Sequence, residues 1–431
     1  MIIVAFVFII LCGYGAYWVA GSRRLDRATA TLPMPPSLPL VGNAMFFIGS
    51  TEKILKSLKY IASLAQKHKG AVKLWLGPKL YIAIGNPEDA QVILENCLDK
   101  DEVYRFLRPW LGRGLFIAPQ TAMGERMDVQ HTPDTPYLRA RLIVMTILNK
   151  RFFKVWLQPD FIFNLTPYAK QQKENIKLTH KFTDEVVKKK RIEYEKKMAK
   201  SNSQTVGQPQ SVLDMLFGRD IEFTDEQLRE HIDSITIAGN DTTALVIAYT
   251  FILLGIHQDA QNKVLQEQKN IFGNSKRGAL KEDIFKMNYL ERVIKESMRL
   301  YTVVPIISRN VHKDIYLPHS NVTVPAGTGA VVGPFAIHRL QSVWGPNANE
   351  FDPDRFLPEH SVDRHPAAFL AFSFGSRNCI GRNFGMLIMK SIISSFIRSY
   401  KIEANEVGPL KIEVLLFPIN GHQIKITKRL P

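Results

Sequence analysis

The sequence predicts a mainly α-helical globular domain with small β-sheets, preceded by a membrane anchor. Three observations carry that expectation. The first twenty residues hold no charge, long stretches from about residue 140 onward have helical periodicity, and a few short β-rich runs interrupt them. At 431 residues and 45% hydrophobic content the chain can bury a large core. No internal repeat and no Pro/Gly linker divides it.

The opening run, MIIVAFVFIILCGYGAYWVA, is long enough to span a bilayer as a helix and is followed by Arg23 and Arg24. A cleaved secretory signal is the competing reading, since the small residues around Ala20 suit a peptidase. Against it, there is no basic stretch before the apolar run, the run is longer than a usual signal core, and the positive charge follows it. Residues 1–20 are therefore expected to be an uncleaved anchor, with the following chain held in the cytoplasm. Three N-x-S/T matches, at Asn164, Asn240 and Asn321, argue weakly for secretion, because Asn240 falls inside an apolar helical pattern. Residues 21–43 read as a basic stop and a proline-rich hinge, LPMPPSLPLVGN, whose four prolines force an extended spacer. The globular domain is expected over residues 44–431.

Within it, AVKLWLG, Pro78 and KLYIAIG predict two paired strands, and Asn86-Pro87 predicts a helix start. Residues 140–200 are helical and basic, and SNSQTVGQPQ at 201–210 is a polar loop. The net charge of +16 raises acidic partners, membrane and nucleic acid alike. Its densest run, Lys188 to Arg191 with Lys196 and Lys197, is interspersed with Glu193 and Glu195 and carries no base-stacking aromatics. It predicts a solvated helix, and no nucleic-acid binding is expected. Three scattered cysteines, Cys12, Cys97 and Cys379, exclude a disulfide framework and suit a reducing compartment.

Thr224 to Gln227 opens a helix with a capping box, and from Thr242 to Ile256 that helix carries no charge, which predicts burial on all sides. Its centre, AGNDTT at 238–243, sets an acid and alcohols in the core. Taken alone, the stretch also reads as a polar patch bonded to the local helix backbone. In LERVIKESMRLY, Glu296 and Arg299 share one helical face; alone, such a pair is common on exposed helices. Arg355, in FDPDRF, could join them. The stretch FSFGSRNCIG is harder to read as structure alone. A cysteine just before a helix gains thiolate character from free N–H groups and the helix dipole. Gly375 and Gly381 admit a close neighbour, Arg377 can fork onto an acid, and Phe372 can shield the sulfur. A persistent thiolate is the axial ligand that favours O–O cleavage at haem iron.

With those residues in view, the chain resembles the cytochrome P-450 family of haem-thiolate monooxygenases. The F-x-x-G-x-R-x-C-x-G loop matches completely at Phe372, Gly375, Arg377, Cys379 and Gly381. It is joined in family order by A-G-x-D-T-T at 238–243, E-x-x-R at Glu296 and Arg299, and P-x-R-F at 353–356. The resemblance is closest to the microsomal family-4-like branch of insects. It implies the cytochrome P-450 fold with an N-terminal transmembrane anchor, and haem b with Cys379 as thiolate ligand and metal-binding residue. It also implies Asp241 and Thr242 as a catalytic proton relay, Arg309 with Arg377 as propionate partners, and Glu296, Arg299 and Arg355 as a structural network. Implied partners are an NADPH-cytochrome reductase, cytochrome b5 and a lipophilic, fatty acid-like or xenobiotic substrate, at the endoplasmic reticulum membrane with the domain facing the cytoplasm.

Two departures from the pattern stand out. Ala238 replaces the glutamate that many family-4 members esterify to haem, so no such link is expected. No tryptophan has arginine four residues on, so the W-x-x-x-R helix that binds a propionate is missing, with a deletion near 119–120. Two functions follow: a haem-dependent monooxygenase fed by a flavoprotein, or a haem-deficient variant acting as a binding or decoy protein.

Overall fold

The computed structural model describes residues 13, 15, 23–39, 41–112, 135–200, 212–217 and 223–429. The expected anchor, apart from positions 13 and 15, the loop at 201–210 and the expected deletion point near 119–120 lie outside the described residues. In chain order the main elements are α1 (Thr51–Lys67), β1 (Ala71–Leu76), β2 (Lys79–Ile84), α2 (Pro87–Asn96), α3 (Pro136–Phe153), α4 (Pro167–Lys200), α5 (Asp225–Ile256), α6 (Gln258–Phe272) and α7 (Asn288–Leu300). They continue as β3 (Ile307–Asn310), β4 (Ile315–Leu317), β5 (Val322–Val324), β6 (Gly329–Val332), α8 (Arg382–Ser399), β7 (Tyr400–Glu403), β8 (Leu410–Glu413), β9 (Leu415–Pro418) and β10 (Lys425–Lys428).

The chain divides into two compact units. Unit 1 holds Met1–Glu102, Val246–Cys379 and Lys390–Pro431; unit 2 holds Val103–Leu245 and Ile380–Met389. Two of the boundaries fall inside α5 and α8, which is why no linker marks them in the sequence.

Unit 1 is built on a four-stranded sheet of order β1-β2-β6-β3. β1 and β2 pair antiparallel, with Leu76 opposite Lys79, whereas β2 and β6 run parallel. Its apolar residues pack with α2 into one core that includes Trp75, Leu80, Ile82, Ile93, Leu94 and Val332. α2 starts where the sequence predicts, with Asn86 Oδ1 accepting from Asp89 N at 2.8 Å and Pro87 in the first turn. The proline-rich stretch, expected as an extended hinge, is attached to the sheet. Asn43 Nδ2 donates to the carbonyls of Pro35 and Pro36 at 2.9 and 3.0 Å, and Asn43 Oδ1 accepts from Trp75 N at 2.8 Å. One buried amide thus staples the prolines to β1, because proline carbonyls still accept although the ring nitrogens cannot donate.

Unit 2 packs α3 and α4 with the N-terminal part of α5. One cluster gathers Phe106, Trp110, Val144, Leu148, Ile176 and Ile237, and another joins Val187, Leu213, Leu228 and Ile232. The capping box forms in both directions, Thr224 N to Gln227 Oε1 at 3.0 Å and Gln227 N to Thr224 Oγ1 at 3.2 Å. Lys188 and Lys189 are exposed on α4, as a solvated run requires. By length and composition α5 could cross a membrane. It is nevertheless a core helix, with Tyr249 donating to the Leu416 carbonyl at 3.0 Å. Its charge-free run is not buried all round: Ala244 and the neighbouring Asn240 are exposed, and Thr242, Thr243, Ile247 and Ala248 are half-buried. Most of these side chains are short Ala and Thr, which present little apolar area, so leaving them open costs little.

Candidate functional site

On α7 of unit 1, Glu296 and Arg299 are fully buried one turn apart. Arg299 Nε and Nη2 each donate to a Glu296 oxygen at 2.7 Å. The guanidinium also donates to the carbonyls of His338, Ala348 and Glu350 at 2.7, 2.5 and 3.1 Å. Arg355 brings Nε to 3.5 Å from Glu296 and donates to the carbonyls of Trp344 and Asn347 at 2.6 and 2.7 Å. Burying three charges is tolerated because nearly every donor meets an oxygen.

Nothing in the sequence flags His338, which links this network to the cysteine loop. Leu370 N donates to its Nε2 at 2.8 Å, and its Nδ1 lies 2.8 Å from Thr302 Oγ1, whose own hydrogen goes to the Arg299 carbonyl at 3.0 Å. The ring must therefore be neutral with its hydrogen on Nδ1. Burial first, then Arg339 and Arg299, hold its pKa down to about 3. Because the folded value lies below the unfolded one, this histidine's contribution is complete above the ordinary value of 6.5 and is lost as pH falls toward about 3. We expect His338→Gln to flatten the acid limb of urea-unfolding stability by roughly 1.4 kcal/mol per pH unit in that window. An unchanged limb would show that the ring takes up a proton without cost.

Leu370 leads into the loop. Cys379 N donates to the Phe372 carbonyl at 2.8 Å, closing it, and Asn378 N donates to the Gly375 carbonyl at 3.1 Å. Gly375 has φ +74°, and a Cβ there would lie 2.9 Å from the Leu94 carbonyl at the end of α2. Glycine is required on both counts. Cys379 and Arg377 are exposed, and Phe372 is half-buried. Gly381 comes immediately before α8, and its carbonyl accepts from Gly385 N at 2.7 Å within unit 2.

Close to the loop, unit 1 gathers positive charge. Arg309, almost fully buried on β3, pairs through its backbone with Lys100 in an isolated antiparallel bridge, and Asn310 Nδ2 donates to the Lys100 carbonyl at 3.3 Å. Lys100 is held down to about 8 by burial, then by Arg377 and Arg309. Like charges brought this close suit an anion.

In unit 2, Asp241 on α5 forms an ion pair with Arg141 of α3, a residue the sequence patterns did not single out. Thr242 Oγ1 donates to the Ala238 carbonyl at 2.6 Å, the local backbone bond that the sequence left open. Its lone pairs remain able to accept.

A profile described as "Cytochrome P450" matches residues 115–426. The chain belongs to the cytochrome P450 family. It is 30% identical to Cytochrome P450 4c3 of Drosophila melanogaster, covering 94% of this chain and 91% of that protein. It is also 30% identical to human Cytochrome P450 4V2, covering 95% and 91%. Insect and mammalian relatives thus place it as family-4-like without separating the two. The alignment to the fly protein runs over 488 positions, more than the 431 residues present, so that relative carries residues with no counterpart here. Among solved structures, the "Crystal structure of cytochrome P450DA heme domain" superposes with a TM-score of 0.77 at 17% identity, over 93% of this chain and 98% of that one, which shows the fold. As a P450 the protein is a monooxygenase oxidoreductase of a haem-thiolate family. The residues present fit haem: an exposed cysteine closes a glycine-shaped loop, and a cluster of cations suits its acids.

Proposed function

We propose that this P450 is a membrane-anchored monooxygenase that inserts one atom of dioxygen into a lipophilic, fatty acid-like or xenobiotic substrate. A flavoprotein reductase would supply the electrons, with cytochrome b5 as a second donor, at the endoplasmic reticulum membrane with the globular part in the cytoplasm. The observation that carries the reading is the cysteine loop, closed by the Cys379-to-Phe372 bond and presenting its sulfur. In this reading Cys379 ligates the iron, Phe372, Gly375 and Gly381 shape the loop, and Arg377, Arg309 and Lys100 hold the propionates. Haem, when bound, supplies oxygen activation. Asp241, paired with Arg141, and Thr242 hold and pass protons to the reacting oxygen. Glu296, Arg299 and Arg355 fix the segment that leads to the loop. The carbon monoxide difference spectrum of the reduced protein tests this, since a thiolate-type Soret band is expected.

A second reading has one observation in its favour. The relatives carry residues absent here, and no W-x-x-x-R pair is present to hold a propionate. On that reading the chain is a haem-deficient binding or decoy protein, and it would give no such band.

Lys100→Met tests haem retention. Removing one charge-assisted partner for a propionate is expected to quicken haem transfer to apomyoglobin roughly tenfold at neutral pH. A wild-type rate in that variant would remove Lys100 from the propionate site.

A further inference from the structure

Four polar side chains of unit 1 that belong to no motif meet on one face of its sheet. Lys79 Nζ donates to Asp101 Oδ2 at 2.8 Å and to Asn310 Oδ1 at 3.1 Å, and Tyr81 Oη donates to Asp101 Oδ1 at 3.2 Å. The Asp101 side chain is fully buried, and Lys79 Nζ also stands 5.3 Å from the centre of the Tyr81 ring. Space for the cluster is made on β6. A Cβ on Gly329 would lie 2.4 Å from the Tyr81 ring and 3.1 Å from Asp101 Oδ2, so the ring and the acid fill room that another residue would take.

The acid that Lys79 holds is the chain neighbour of Lys100, and the amide it holds is the neighbour of Arg309. Lys100 and Arg309 stand opposite each other in their antiparallel bridge, so their side chains share a face. Arg309 is in line there with Ala330 and Ile82 of the buried core. Alternation turns Asp101 and Asn310 to the other face, where Asn310, Gly329 and Tyr81 are in register across β3, β6 and β2. Residues 97–101 form neither helix nor strand beyond the single bridge at Lys100. The place of Lys100 is therefore set by side chains. Asn310 Nδ2 holds its carbonyl at 3.3 Å, Asn310 N holds the Asp99 carbonyl at 3.0 Å, and Lys79 with Tyr81 holds Asp101. The pairing also separates charge. An acid beside Lys100 would compete with any anion for that cation, and Lys79 engages it on the far face instead.

We propose that Lys79, Asp101 and Asn310 are positioning residues that hold Lys100 opposite Arg309 for the acid groups of haem. The proposal rests on the reading of Lys100 as a propionate partner, and the three residues act only through Lys100.

The test uses the purified, haem-loaded full chain and follows haem transfer to apomyoglobin at neutral pH. Lys79→Met should quicken transfer roughly three- to tenfold, as one charge-assisted hydrogen bond to haem loosens. Lys79→Met/Asp101→Asn, which leaves no buried acid without its cation, should quicken it alike, and it decides the matter should Lys79→Met not fold. Lys79→Arg keeps a cation for both acceptors and should recover part of the slow rate. The reading that separates positioning from general loosening is the combination with Lys100→Met. Effects that pass through one residue do not add, so both changes together should transfer haem no faster than Lys100→Met alone. A wild-type rate in Lys79→Met/Asp101→Asn while Lys100→Met is fast overturns the proposal alone, as does a full additional quickening in the combined variant. A wild-type rate in Lys100→Met, or a wild type that retains no haem, overturns the propionate reading and the proposal with it.

Discussion

Cys379→Ser will abolish the thiolate-type Soret band of the reduced carbonyl complex. Serine keeps the size of the side chain and the Cys379 N–H bond to Phe372, so the loop can close as before. What changes is the donor. A thiolate is available near neutral pH and pushes electron density onto iron, whereas an alcohol is neutral there and a much weaker ligand. Loss of the band with retained helical content would assign the sulfur as ligand. A band of unchanged position and size would refute that assignment, and a wild type without any band would favour the haem-deficient reading instead.

The second large effect is on stability. Arg299→Ala should destabilise the folded chain by about 3–5 kcal/mol, because it leaves the Glu296 carboxylate buried with only Arg355 and the Asp352 N–H, 2.9 Å away, as partners. It also strips donors from the His338 and Ala348 carbonyls. Since domains are stable by only about 5–15 kcal/mol, little folded protein should accumulate. Arg299→Lys keeps the charge but not the planar fork, so an intermediate loss is expected. Urea unfolding and the yield of haem-loaded protein would report both. A loss below about 1 kcal/mol for the alanine variant would mean that the network is not held by its charges.

Local chemistry was legible in the sequence wherever neighbours in the chain are neighbours in space. Glu296 and Arg299 sit one helical turn apart, Thr224 and Gln227 cap each other three residues apart, and Phe372 to Gly381 form one loop. Arg355 could be suggested from its motif, though its reach to Glu296 at 3.5 Å came from the fold. Asn43 was not legible, because its partner Trp75 lies 32 residues away and an asparagine after a glycine looks like an ordinary turn. His338 and Leu370 are equally remote in sequence. Lys100 stands among acids and Arg141 among other cations, and only packing distinguishes them. The division into two units was hidden in part because two of its boundaries cross helices, where no linker marks them.

The attachment of the proline-rich stretch bears on how far the enzyme can stray from a bilayer. Asp26 Oδ1 already accepts from Trp75 Nε1 at 3.1 Å and from Lys73 Nζ at 3.4 Å, so the chain is moored to β1 before the prolines begin. With residues 1–20 in the membrane, as proposed, only residues 21–25 remain as a leash. Fully extended they reach about 17 Å, and less where the chain from Arg23 is helical. β1 would then ride at the level of the lipid headgroups, and a lipophilic substrate could be taken from the bilayer without crossing bulk water.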